Sequence, residues 1–261
     1  MKFKIAERYF PPTKQLTDKQ ARKLLQTDYS EAVDAQPIYR GIYGGGSDYT
    51  GPILVTPDPK IERKSMNTAL NFYTLFINHS PAWKNFPKRQ TICSTDIDRV
   101  RDGYSIEAKD VFRVYPKNGA KIGICPEEDI WDSGFNEYNN TLETIFSFAE
   151  RLKKIKKKTD WFAPNITWNK IIKACEIVDS VKDIIANSPK IKADLIYMLD
   201  YDSHIDDYLH FNIPFLKFIT THLFSPYEFG VKHIKNFSAS NNVEVWTDAP
   251  TLMMPVWNQE E

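Results

Sequence analysis

Three short segments of the chain carry residue types that can together split a glycosidic bond. Tyr39-Arg40-Gly41 offers a guanidinium, Cys93-Ser94-Thr95 a pair of small hydroxyls, and Asn242-Val243-Glu244-Val245-Trp246 a carboxylate flanked by two valines. When a ribose is bonded to a positively charged nicotinamide, the base leaves neutral, so no general acid is needed and the sugar becomes oxocarbenium-like. A carboxylate beside the sugar stabilises that charge or orients the incoming nucleophile. The planar fork of an arginine suits the phosphates of a dinucleotide, and hydroxyl side chains can hold the ribose or the arginine itself. Each residue also has an ordinary structural use. A strand arginine commonly forms a surface ion pair, Ser-Thr suits a strand by propensity, and a strand glutamate usually faces solvent.

These segments resemble the arginine, Ser-Thr-Ser and Glu-x-Glu motifs of the ADP-ribosyltransferase superfamily, Arg-Ser-Glu branch, in the right chain order. The intervening VFRVYPKNGAKIGIC is similar to that family's next strand, turn and strand. The resemblance covers the β-rich segments and leaves the N-terminal region and a helical block outside it. It implies an α+β fold, a split β-sandwich carrying helices, and a mono-ADP-ribosyltransferase that consumes NAD and passes ADP-ribose to a protein or nucleic acid. Arg40, Gly41, Ser94 and Thr95 would contact NAD, and Glu244 would be the catalytic carboxylate. Two positions depart from the pattern: Asp96 stands third in Ser-Thr-Ser, and Asn242 replaces the first glutamate of Glu-x-Glu. An asparagine cannot accept a proton from an arginine acceptor, which moves the expectation toward another acceptor. A cytosolic toxin or a phage effector, restrained by an inhibitory partner or antitoxin, is the context the family implies. An alternative carboxylate is Glu127 or Glu128 in Cys125-Pro-Glu-Glu-Asp-Ile-Trp131, which follows its strand more closely.

Other chemistry-bearing clusters are weaker. Asp200, Asp202, His204, Asp206, Asp207 and His210 crowd one stretch, but Ile205 sits where a calcium loop needs glycine, and no glutamate closes the loop. A metal-dependent phosphate enzyme around Asp200 and Asp202 is the third reading, after a non-catalytic interaction protein on the same fold. Gly44-Gly45-Gly46 lacks the Gly-Lys-Ser/Thr of a phosphate loop. Arg151 to Lys158 holds six basic residues in eight positions, at what reads as the C-terminal end of a helix, where cations complement the dipole.

The elements that must position these residues follow from periodicity. Residues 1–37 read as a leader with a helix capped by Thr17 or Asp18. Ile38 to Ile42, the Pro-Ile-Leu-Val-Thr run after Gly51, the stretches around Ile92 and 111–125, and the tail from Asn242 onward read as strands. Lys117-Asn118-Gly119 is a hairpin signal. Ser65 to His79 has helical spacing, as does a helical block from 140 to 224, with one stripe of Leu142, Ile145, Phe146, Ala149, Leu152 and Ile155 and another of Ile171, Cys175, Val178, Val181 and Ile185. The expectation is one ADP-ribosyltransferase-like domain over 1–261 with the helical block inserted between strands. Thirty-four Lys and Arg balance thirty-four Asp and Glu over 261 residues, which removes the simplest electrostatic case for nucleic-acid or membrane binding. No run approaches the roughly 18 apolar residues of a membrane span, and MKFKIAERYFPPTK does not look like a signal peptide, so a cytoplasmic protein is expected. The three cysteines, an odd number at wide spacings, are expected to be reduced and buried.

Overall fold

The computed structural model describes residues 13–42, 51–58, 60–61, 72–102, 111–130, 132–133, 135, 137–155, 166–199, 204–210 and 213–256. The fold is α+β, with an antiparallel sheet and helices divided between two compact units. The first comprises Met1–Lys64, Lys84–Ser133 and Tyr227–Glu261, and the second Ser65–Trp83 and Gly134–Pro226.

The first unit holds β1 (Thr13–Gln15), α1 (Asp18–Leu25), β2 (Ile38–Gly41), β3 (Ile53–Val55), β4 (Thr91–Ser94), α3 (Ile97–Asp102), β5 (Val111–Pro116), β6 (Lys121–Ile124), β7 (Gly230–His233), β8 (Glu244–Thr247) and β9 (Thr251–Pro255). Among the described residues nine strands form the sheet, in the order β1-β3-β9-β5-β2-β4-β8-β6-β7. The N-terminal region contributes to this unit from residue 13 onward. Its helix α1 is closed by Thr17 and Gln20 in a reciprocal capping box, and Leu16, Ala21, Tyr29, Ala32 and Ala35 join the core that also buries Ile38, Val114, Val245 and Met253.

The Lys117-Asn-Gly119 segment makes the expected tight turn, with Ala120 N donating to Lys117 O at 2.9 Å and Gly119 at φ 78°. The strands it joins are not a hairpin, however, because β5 pairs with β2 and β9 while β6 pairs with β8 and β7. Three strands separate them in the sheet. In a flat sheet, four spacings would set β5 and β6 about 19 Å apart, too far for a four-residue connection that folds back on itself, so the sheet must curl. The curl is filled on its inside by the core. Local turn chemistry was therefore readable, but partner choice depends on which apolar faces close around that core.

The second unit holds α2 (Phe72–His79), α4 (Glu137–Leu152), α5 (Trp168–Asp179), α6 (Lys182–Asn187), α7 (Pro189–Met198), α8 (His204–His210) and α9 (Phe215–Phe218), the last running into a π-turn at Ile219–Leu223. The two expected stripes are buried at Leu142, Ile145, Phe146 and Ala149, and at Ile171, Cys175, Val178, Val181 and Ile185. Ile155 falls outside the first, because the helix ends at Leu152 and Ile155 N closes back on Glu150 O. Ser188 caps α7 and Pro189 opens it. Asp179, at the end of α5, accepts from Tyr208 Oη at 2.9 Å and from Phe215 N at 2.8 Å, tying α5, α8 and α9 together. The expected helix from Ser65 is described only from Phe72. No described helix is long and apolar enough to cross a membrane.

Candidate active site

The three motif strands lie side by side: β2 pairs with β4, and β4 with β8. Ser94 stands directly across from Glu244 on one side and Tyr39 on the other. Opposed residues of an antiparallel pair share a face, and neighbours along a strand alternate. Ser94 and Glu244 therefore share one face, with Tyr39. Arg40 belongs to the other face, with Cys93, Val245 and Phe112. The register thus unites two of the three motif residues and turns the arginine away from them. Arg40 is half-buried, and desolvation lowers its guanidinium from the ordinary value, against a smaller opposing effect of Cys93. Its side chain makes no hydrogen bond or ion pair among the described residues. Gly41 is the last residue of the same strand.

A different arginine meets Glu244. Arg89 donates from Nη2 at 2.7 Å and from Nε at 3.2 Å to the same carboxylate oxygen, Oε1. Both residues are only 6% exposed. Counting back along β4 from Ser94 would put residue 89 on the opposite face, which is why the sequence offers no pointer to it. Alternation fails because Arg89 precedes the ladder, where Gln90 N turns back to Lys88 O at 2.9 Å. The approach segment is clipped to β8 by side chains: Trp246 Nε1 donates to Pro87 O at 3.0 Å and Asp248 accepts from Lys88 N at 3.1 Å. Trp246 can lie flat over β6 because Gly123 has no side chain. A Cβ there would fall 2.2 Å from the indole.

The rival carboxylates are neighbours rather than strangers. Cys125 N donates to Glu244 O at 2.9 Å, and Glu244 N to Glu127 O at 3.0 Å, so the 125–128 segment runs alongside the start of β8. The Glu127 side chain is exposed. Glu128 pairs with Arg99 of α3, which also reaches Asp132 at 3.2 Å. The Cys125 thiol, fully buried, is pushed up to about 12, first by burial and next by Glu244.

The hydroxyls serve the backbone in this state. Thr95 Oγ1 accepts from Val243 N at 2.8 Å, and Ser94 Oγ from Asp96 N at 3.0 Å. The two departures from the family pattern meet each other: Asn242 Nδ2 donates to Asp96 Oδ2 at 2.9 Å. The other oxygen of Asp96 accepts from Asp98 N and Arg99 N, starting α3. An aspartate in the third place is thus spent on ending β4 and beginning a helix.

Gly44-Gly45-Gly46, Asp200 and Asp202 lie outside the described residues, as do Lys156 to Lys158 of the basic run. Among the described residues no group of three or more His, Cys, Asp or Glu is arranged to hold a metal ion. Arg151 lies in the last turn of α4, its guanidinium over the Phe148 ring, and Lys153 and Lys154 follow the helix end. Comparison of the chain with protein-family models, with curated proteins and with solved structures found no match.

Proposed function

We propose that the chain is a mono-ADP-ribosyltransferase that cleaves NAD at the nicotinamide bond, with its reaction centre on the sheet face shared by Ser94 and Glu244. The observation that carries this reading is the direct opposition of Ser94 and Glu244 on adjacent strands, next to the Arg40 strand. Residues 150 positions apart in the chain are set side by side, which supports the reading. In this reading the bond from C1′ of the ribose to the nicotinamide nitrogen breaks, and its electron pair leaves with the neutral base. The Glu244 carboxylate opposes the positive charge left on the sugar. An oxygen or nitrogen of the macromolecular acceptor then bonds to C1′ and gives its proton to solvent. The curl of the sheet, which brings the ends of β5 and β6 together, fits the split sandwich that the resemblance implies. Arg40 lies on the adjacent strand but on the opposite face from Ser94 and Glu244.

The test is release of nicotinamide from NAD, with and without cell lysate as acceptor source. Glu244→Gln keeps the shape and removes the charge, and its expected effect is a fall in rate of about a hundredfold or more with NAD affinity changed far less. A wild-type protein that neither cleaves nor binds NAD would overturn the reading.

One observation favours a second reading, a non-catalytic interaction protein on the same scaffold: Glu244 is already engaged in a buried ion pair. There Glu244→Gln would lower the melting temperature and change no NAD-dependent rate.

A further inference from the structure

We propose that Arg89 is the positioning residue of the reaction centre, holding the Glu244 carboxylate charged and in one orientation against the sheet face that receives the sugar. The inference rests on the NAD-cleaving reading above.

Geometry carries it. Two N–H groups of one guanidinium converge on a single carboxylate oxygen, Oε1, at 2.7 and 3.2 Å. A lone ammonium offers no such fork, so the arrangement fixes direction as well as charge. The pair is removed from water, with side chains 7% and 8% exposed, where a carboxylate without a cation would tend to take up a proton. A protonated Glu244 could not oppose an oxocarbenium. Beside the pair, burial raises the Cys125 thiol, and the charge of Glu244 adds to that effect. Arg89 sets a cation against the Glu244 carboxylate.

The chain also invests in the placement of Arg89. Residues 86–90 belong to no strand, yet they are tied down at three points: the Trp246 indole on Pro87 O, Asp248 on Lys88 N, and Gln90 Nε2 on Ile61 O at 3.1 Å. Phe86 stacks on Trp246 from the same segment, ring centroids 6.3 Å apart. Trp246 and Glu244 project from the same face of β8, being two residues apart. The strand that carries the carboxylate thus carries the anchor of its arginine.

The experiment compares steady-state NAD cleavage by wild type, Arg89→Lys, Arg89→Gln and Glu244→Gln, with melting curves for each. Arg89→Lys keeps the charge and loses the fork. The expected result is a melting temperature close to wild type, KM for NAD within about threefold, and kcat lower by roughly ten- to a hundredfold, the size of losing a charge-assisted bond from the transition state. Arg89→Gln should fall further in kcat, toward the level of Glu244→Gln. If Arg89→Gln does not fold, Arg89→Lys alone decides. A folded Arg89→Lys with wild-type kcat overturns the inference while leaving the NAD reading intact, provided Glu244→Gln is impaired. A rise in KM with unchanged kcat also overturns it, because Arg89 would then bind substrate rather than position the carboxylate. A wild-type protein inactive toward NAD overturns both.

Discussion

Burial sets the state of the thiols more firmly than their neighbours do. Cys125 and Cys175 are raised above the ordinary thiol value, in each case by burial first and by an adjacent carboxylate second, Glu244 for one and Asp179 for the other. Cys93 is buried as well, and none of the three is in a disulfide. Only the thiolate attacks a disulfide reagent, so the native protein at pH 8 is expected to react negligibly with Ellman's reagent, and all three cysteines to react once guanidinium unfolds it. A native thiol that reacts as fast as a free cysteine would contradict the packing around it. At this scale the sequence was a partial guide. Ser94 and Glu244 could be named because residue type and strand alternation are written locally. Arg40 could be named too, but its face could not, since that depends on register across β2 and β4. Arg89 carried no signal at all: its partner is 155 positions away, and an irregular turn cancels the alternation that might have linked it to Ser94.

Two residues in left-handed backbone conformation show how elements end, and they call for opposite substitutions. Gly119 has φ 78° and Lys154 φ 57°. Gly119 sits in the turn after β5, its N–H donating to Glu31 Oε2 at 2.7 Å while Asn118 Nδ2 donates to Thr27 O at 2.7 Å, which docks the turn on the segment after α1. A Cβ would meet nothing within 4 Å there, so any cost of Gly119→Val comes from the backbone. A β-branched residue forced to positive φ should lower stability by more than about 1 kcal/mol. Lys154 closes α4 with the paired bonds Ile155 N to Glu150 O and Lys154 N to Arg151 O, the arrangement in which glycine is usual. Lys154→Gly should therefore raise stability by about 0.5 kcal/mol, the relief of the strained φ exceeding the added freedom of the unfolded chain. Urea melts of both variants check the pair; a neutral Gly119→Val or a destabilised Lys154→Gly would mean that the backbone at that site is not left-handed. The same elements mark how far periodicity reaches. The helix α4 and the Asn-Gly turn were legible because both are encoded within a few residues, whereas the end of the stripe before Ile155 and the separation of β5 from β6 are set by contacts outside the window.

At the scale of the whole molecule, the long central helical block was legible from its two apolar stripes, but its membership was not. Helix α2 precedes β4 in the chain, yet it belongs to the helical unit, because Phe76 stacks on Phe224 with centroids 4.3 Å apart and meets Trp168 edge-on at 5.3 Å. Trp83, just after α2, donates from Nε1 to Phe224 O at 2.8 Å. Periodicity says which face of a helix is apolar and nothing about what covers it. This division predicts how the chain tolerates shortening. The ends left by removing 134–226 can be joined by a short linker, since Ile124 and Gly230 are partners in β6 and β7; those left by removing 65–83 can be joined likewise, since Gln90 reaches Ile61. Deleting 134–226 alone would strip the cover of Phe135, Trp168 and Phe224 from Tyr73 and Phe76, each no more than 2% exposed in the whole chain, at about 1.5–3 kcal/mol for each side chain returned to water. That variant should aggregate or melt without cooperativity. Deleting 65–83 as well removes the orphaned helix and leaves a sheet unit with its own core, which should remain soluble and unfold in a single sharp transition. Gel filtration and thermal melts of the two variants distinguish them, and a single-deletion protein as soluble and cooperative as the double would show that α2 is not held by the helical unit.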